Sequence, residues 1–163
     1  MDKVKWEGTE LEGATLPSLS SKFLEQLVGL IQRGESLDGA NLVGADLAQK
    51  DLAGASLQDA DLSKASLSGA NLEDANLRGA DLFSANLSGT NLEGASLEGT
   101  NLEETNLEDA ALSDANLREA SVTQKQLDQA GSLEGAVMPN GQKYEDWLKS
   151  KGRGEDGENS GPS

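Results

Sequence analysis

The chain has 163 residues and a net charge of −16, from 29 acids against 13 bases, with 36% apolar but only 3% aromatic residues. That length fits one domain, and that charge repels DNA, RNA and anionic membranes, leaving a protein, basic or itself DNA-binding, as the partner the composition admits. The absence of His and Cys removes the commonest general base and metal ligand, the thiol nucleophile and every disulfide.

No apolar run approaches membrane-spanning length, and the segment from Met1 to Trp6 opens no signal-peptide core. The expectation is a soluble, cytoplasmic chain, unless a targeting segment has been removed from it.

Residues 1–18 contain two repeat-like units, TELEG with Leu11 and ATLPS with Leu16, and Trp6 stands five before Leu11. They predict a partial amino-terminal coil. A helix is expected over residues 19–34, where Phe23, Leu24, Leu27, Val28, Leu30 and Ile31 follow helical spacing and Gly34 offers a stop. Its apolar stripe either covers the open rim of the adjoining repeat region or docks a partner helix.

From Glu35 to Gln124 the chain reads in fives: ESLDG ANLVG ADLAQ and onward to ANLRE and ASVTQ. Leucine recurs at every fifth residue from Leu37 to Leu117, and Val122 takes the last of 18 centres. Two residues before each centre stands Ala, or Thr at Thr90, Thr100 and Thr105, with Glu35 and Lys50 as exceptions. A period of five fits neither helix nor strand; it is the mark of a solenoid. Four pentapeptides per square turn would stack Leu37, Leu57, Leu77, Leu97 and Leu117 in one column. Glu35 and Lys50 then occupy inward slots, and either pair with each other or bend outward. The residue before each centre, often Asn or Asp, is expected outside, bonding its own turn, with Asn71 and Asn91 placed to stack as a ladder. The many glycines two after the centre suit corners with positive φ.

This A(D/N)LxG pattern resembles the pentapeptide-repeat family, over about 90 residues without an insertion. The resemblance implies an all-β solenoid, a right-handed quadrilateral β-helix; the short α-helices read from the residues at its two ends are expected to cap it. It also implies two further expectations: a dimer through the carboxy-terminal helix, as in some relatives, against the monomer favoured here, and mimicry of DNA at a type II topoisomerase such as gyrase.

After Val122 the pattern loosens. TQKQLDQA suits one helical turn, and GSLEGAVMPNG returns to repeat spacing with a Pro-Asn-Gly turn. Residues 125–150 thus form a terminal coil and a helix carrying Tyr144, Trp147 and Leu148 on one side. The tail, residues 151–163, is Gly-, Ser- and acid-rich and expected to be disordered.

No catalytic constellation, phosphate loop, cofactor motif or metal set stands out, and a convex prism offers carboxylates no cleft. The chain is expected not to be an enzyme. Outward positions instead suggest an acidic belt around the carboxy-terminal half: Glu93, Glu98, Glu103 and Glu108 on successive faces, thickened by Glu104, Asp109 and Asp114. Phe83, directly below Glu103, is expected to be an exposed aromatic anchor beside it. The belt is either a binding surface for a protein partner or a solubility feature. On the first reading the chain is a protein-interaction or scaffold module; the alternative is the DNA mimic.

Overall fold

The computed structural model describes residues 21–157. The partial coil expected over residues 1–18 lies outside the described residues. The first element, α1, is Ser21–Gln32; α2 is Gln124–Gln129 and α3 is Tyr144–Gly157.

Between α1 and α2 the backbone winds in coils of 20 residues. Parallel bridges join Asn41 to Asp61, Asp61 to Asp81, Asp81 to Asn101 and Asn101 to Ser121, and three further ladders run in the same register. Four five-residue units make one coil, so the cross-section has four sides.

The repeat's composition is explained by its hydrogen bonds, as the unit at Asp61 shows. Asp61 N–H donates down to Ala40 O at 2.9 Å, while Leu62 and Lys64 N–H donate up to Asp81 O and Phe83 O at 2.7 and 2.8 Å. Ala65 N–H closes the turn on Leu62 O at 3.0 Å. The fifth donor, Ser63 N–H, finds Asp61 Oδ1 at 3.0 Å. All five donors are satisfied, and the last requires a side-chain acceptor before the centre. This is why Asn or Asp recurs there: Asn41, Asn71, Asn91 and Asn101 accept the same bond. Asn91 also donates to Asn71 at 3.2 Å, and Asn71 to Asp51 at 3.2 Å, so the expected ladder is present.

Inside, the leucines are at most 1% exposed and most repeat alanines at most 2%. Each Leu needs a small neighbour because the coil is only one side chain deep from each wall. Thr90, Thr100 and Thr105 fit the alanine slot by donating Oγ1 to Leu67, Leu77 and Leu82 O at 2.7, 2.9 and 2.8 Å. A buried hydroxyl left unbonded would be costly; here none is.

Every turn from Gly39 to Glu119 has positive φ at its third residue, the type II signature. Nine of these residues are not glycine. Where such a residue is Asp, as at Asp59 and Asp74, its carboxylate occupies the space a Cβ would need at Gly79 and Gly94 one coil on.

The buried face of α1 (Phe23, Leu24, Leu27, Leu30 and Ile31) is continuous with the leucine core. Its end is a Schellman arrangement: Gly34 has φ +76°, Glu35 N–H reaches Leu30 O at 3.1 Å and Gly34 N–H reaches Ile31 O at 2.8 Å. Glu35 does not pair with Lys50. It pairs with Arg33 at 3.3 Å, and Lys50 is half-buried with no ion pair among the described residues, so both bend outward from slots that lie beside the first coil's edge.

The fold departs from its repeat at α2. Thr123 and Gln126 form a reciprocal capping box, and the buried Gln126 Nε2 donates to Leu102 O at 2.6 Å and Thr105 O at 2.9 Å. Asp109 N–H still reaches Gln129 O, 20 residues on, whereas Gly131 N–H reaches Ala110 O, 21 back. One residue is therefore inserted at Ala130, and the later bridges Ala111 to Ser132 and Asn116 to Val137 keep the new spacing.

The tail expected to be disordered from residue 151 is helical as far as Gly157, and residues beyond it lie outside the described ones. Contacts carry the helix past residue 150: Lys149 pairs with Asp146 at 3.2 Å, and Lys151 lies 4.9 Å from the Trp147 ring centre while reaching Gln124 Oε1 at 3.1 Å. They offset the cost of Gly152 in a helix, about 1 kcal/mol.

Candidate interaction surface

Outward side chains after each centre stand on the four corners of the prism, stacked coil upon coil at about 4.8 Å. The predicted belt does not run evenly round them. Glu103, Glu104, Glu108 and Asp109 are exposed on two adjacent corners of one coil, and Ser84 Oγ donates to Glu104 at 2.7 Å. Asp114 is exposed on the third corner of that coil, with Glu93 one coil below. On the fourth corner the belt is interrupted: Glu98 is half-buried, paired with Arg78 at 3.1 Å and bonded by Asn116 at 3.3 Å, and one coil on Arg118 pairs with its neighbour Glu119 at 3.7 Å. Opposite charges stacked there cancel the acid.

Phe83 is half-buried rather than exposed. Its backbone is held on both sides, by Asp81 Oδ1 at 2.9 Å and by Lys64 N–H at 2.8 Å, in the column between Ser63 and Glu103. The large apolar side chain most exposed in that column is Val43, at 45%.

A second acidic feature, which reading along the chain does not reveal, runs up the prism. One corner carries Glu73 and Asp74, then Glu93, Asp114 and Glu134, in four successive coils and within one residue of the coil register. None of the five is in an ion pair among the described residues. Summing charges at 20-residue intervals, rather than along the chain, brings this column out of the sequence.

This column ends at α3. Gly135 N–H donates to Glu145 Oε1 at 2.7 Å, and Lys143 Nζ donates to Gly135 O at 2.6 Å, so one residue is held on both sides. Glu145's carboxyl is pulled below its ordinary value, chiefly by the Gly135 N–H and its own backbone N–H, with Lys143 helping and Asp146 opposing. Glu93, Asp114, Glu134, Lys143 and Glu145 surround an open hollow of about 700 Å³. A second cavity, about 460 Å³, lies between α2 and α3 over Leu127, Leu133, Tyr144 and Trp147, beside the 46% exposed Leu148. Among the described residues no acids are grouped to hold a metal ion, and no helix is long and apolar enough to cross a membrane.

Comparison with known proteins places this geometry. The family described as pentapeptide repeats matches residues 36–74, 60–99 and 85–124, in 8 copies. Among solved structures, HetL, a protein involved in heterocyst differentiation regulation in the cyanobacterium Nostoc sp. strain PCC 7120, is 39% identical with a TM-score of 0.55. The match covers 67% of this chain and 55% of HetL, so this chain spans about half of that protein's length. A pentapeptide-repeat protein of the cyanobacterium Cyanothece 51142 is 44% identical over 49% of this chain and 54% of its own, with a TM-score of 0.49. QnrB1, a plasmid-mediated fluoroquinolone resistance protein, is 17% identical over 71% of this chain and 66% of its own, with a TM-score of 0.54, and shares the fold alone. A comparison with the curated proteins found no match. The 20-residue coil, the buried leucine columns and the family match agree: the chain belongs to the pentapeptide-repeat family, whose structures are right-handed quadrilateral β-helices.

Proposed function

We propose that this chain is a non-catalytic protein-interaction module that presents a rigid acidic surface to a basic or DNA-binding protein. The observation that carries the reading is the corner of Glu73, Asp74, Glu93, Asp114 and Glu134, repeated coil after coil with no ion pair among the described residues. A backbone with its donors satisfied fixes where these acids leave the prism before a partner arrives, so binding has only their side chains left to order. In this reading α1 and α3 are caps that keep the coil ends from pairing with other chains.

A second reading, DNA mimicry toward a type II topoisomerase, gains from the same corner. Acids there rise by about 4.8 Å per coil, against roughly 3.4 Å per phosphate along one DNA strand. A belt at one end would not run along a strand; a column does run lengthwise, though with a wider step than the phosphates.

Crosslinked capture from source-cell lysate tests both, using wild type, a belt variant (Glu98, Glu103, Glu104 and Glu108 to Lys) and a column variant (Glu73, Glu93, Asp114 and Glu134 to Lys). The proposal expects a partner lost from the column variant. Inhibition of topoisomerase supercoiling by wild type but not by the column variant would select mimicry. Identical captures by all three proteins would make the acids a solubility feature and sink the reading.

A further inference from the structure

We propose that Asn140-Gly141 is a self-modification site, and that its conversion to isoaspartate unfastens α3. Asparagine is thermolabile, yet the eight repeat asparagines from Asn41 to Asn116 are protected. Each is followed by leucine, whose bulk hinders attack by its own amide. Each holds its Oδ1 on the N–H two residues on, a bond that Asn140 shares. At seven of the eight the attacking amide also donates to the next coil, as where Leu42 N–H reaches Asp61 O at 2.7 Å; Leu107 N–H, after Asn106 and beside α2, lacks that ladder bond. Even Asp38-Gly39, a sequence prone to the same cyclisation, is locked. Asp38 Oδ1 accepts Ser56 Oγ at 2.7 Å and Gln58 N–H at 2.9 Å, and Gly39 N–H donates to Gln58 O at 2.7 Å.

Asn140 differs in its neighbour and in its setting. It and Gly141 are exposed, and nothing lies within 4 Å of where a Gly141 Cβ would stand. Its contacts are confined to its own turn: Gly141 N–H to Met138 O at 2.8 Å, Asn140 Nδ2 to Gln142 Oε1 at 2.8 Å and Gln142 N–H to Asn140 Oδ1 at 3.0 Å. No other coil holds them, so a local opening of this turn releases all three at once.

The chemistry needs only water. Gly141 amide nitrogen, giving its proton to solvent base, attacks Asn140 Cγ. The N–Cγ bond forms, the Cγ–Nδ2 bond breaks, and ammonia leaves. Water then opens the cyclic imide at either carbonyl, giving aspartate or isoaspartate and adding one negative charge. Isoaspartate carries the main chain through the side-chain carbonyl, which lengthens the turn by one methylene.

That turn sets the return of the chain to the solenoid. Beyond it lie Met138 N–H to Gln142 O at 2.8 Å, the antiparallel bridge of Val137 with Lys143, and Tyr144 N–H to Ala136 O at 2.8 Å. The clip on Gly135 by Lys143 and Glu145 depends on the same spacing. Apolar anchoring of α3 is slight, since Tyr144 and Trp147 are only partly buried.

The test incubates the full chain at mildly alkaline pH, maps its peptides by mass and chromatography, and tracks hydrogen exchange at the Tyr144 amide. Conversion at Asn140 ahead of every repeat asparagine is expected, with isoaspartate in the product. Exchange at Tyr144 should rise by about tenfold, equivalent to about 1.4 kcal/mol of lost docking. Asn140→Gln should abolish both changes. Equal conversion across the repeat asparagines, or none at Asn140 while a free peptide of residues 137–143 converts, would overturn the assigned site. Complete conversion with unchanged Tyr144 exchange would overturn the unfastening.

Discussion

Gly94 and Gly99 occupy the same position in consecutive turns, with φ of +68° and +66°. A methyl group added at Gly99 meets nothing within 4 Å, whereas one at Gly94 lands on the Asp74 carboxylate of the coil below. The left-handed backbone penalises any Cβ by roughly 1–2 kcal/mol, and the smaller unfolded-state entropy of alanine returns about 0.4–1 kcal/mol. Gly99→Ala should therefore cost about 1 kcal/mol. Gly94→Ala should cost that and the rotation of Asp74 off its rotamer, about 0.5–1.5 kcal/mol more. Asp74→Ala removes the obstacle while leaving residue 74 in its own positive-φ turn. A double-mutant cycle in chemical denaturation should give a coupling of that size between residues 74 and 94 and none between 74 and 99. Equal costs for the two glycine variants, within about 0.3 kcal/mol, would refute the reasoning.

Gln126→Ala removes the donor to two buried carbonyls, and denaturant titration should show a loss of about 1–3 kcal/mol. Lys50→Ala removes a half-buried cation that has no ion pair among the described residues, so stability should stay within about 0.5 kcal/mol of wild type or rise; a larger loss would show that the lysine is needed. Glu145 has its folded pKa lowered, so its hold on Gly135 is complete above the unfolded carboxylate value and is lost as pH falls through the lower folded one. The Gly135 amide resonance should report that titration, with a midpoint below the ordinary glutamate value, and Glu145→Gln should flatten it.

The solenoid was legible because its cause is local and repeated. A leucine at every fifth residue fixes the core, and a side-chain acceptor before it completes the donors of its own unit, so each pentapeptide states its role. Gln126 was not legible: its partners, Leu102 O and Thr105 O, lie more than 20 residues back, and only the loss of a ladder bond at α2 creates the need for it. The acidic surface was half legible. Reading along the chain found Glu103 and Glu108 on neighbouring corners, but cancellation of Glu98 by Arg78 is a contact between coils. The column through Glu73, Glu93, Asp114 and Glu134 likewise exists only after winding. Phe83 was misplaced for a related reason, since slot position tells whether a side chain leaves the core, not how far its neighbours cover it.

A constant 20-residue register makes the height of the prism an independent variable. Between Asn41 and Ser121 the bridges that join one coil to another all keep the same 20-residue register. Duplicating or deleting 20 consecutive residues there would change that height by one coil while leaving the cross-section and both ends intact. The one-residue step at Ala130 stands outside that interval. This chain can therefore be read as a ruler of adjustable length between fixed ends, in which a duplicated coil adds an acid to that corner only where the coil carries one, as at Glu73 or Glu93 but not at Ala53.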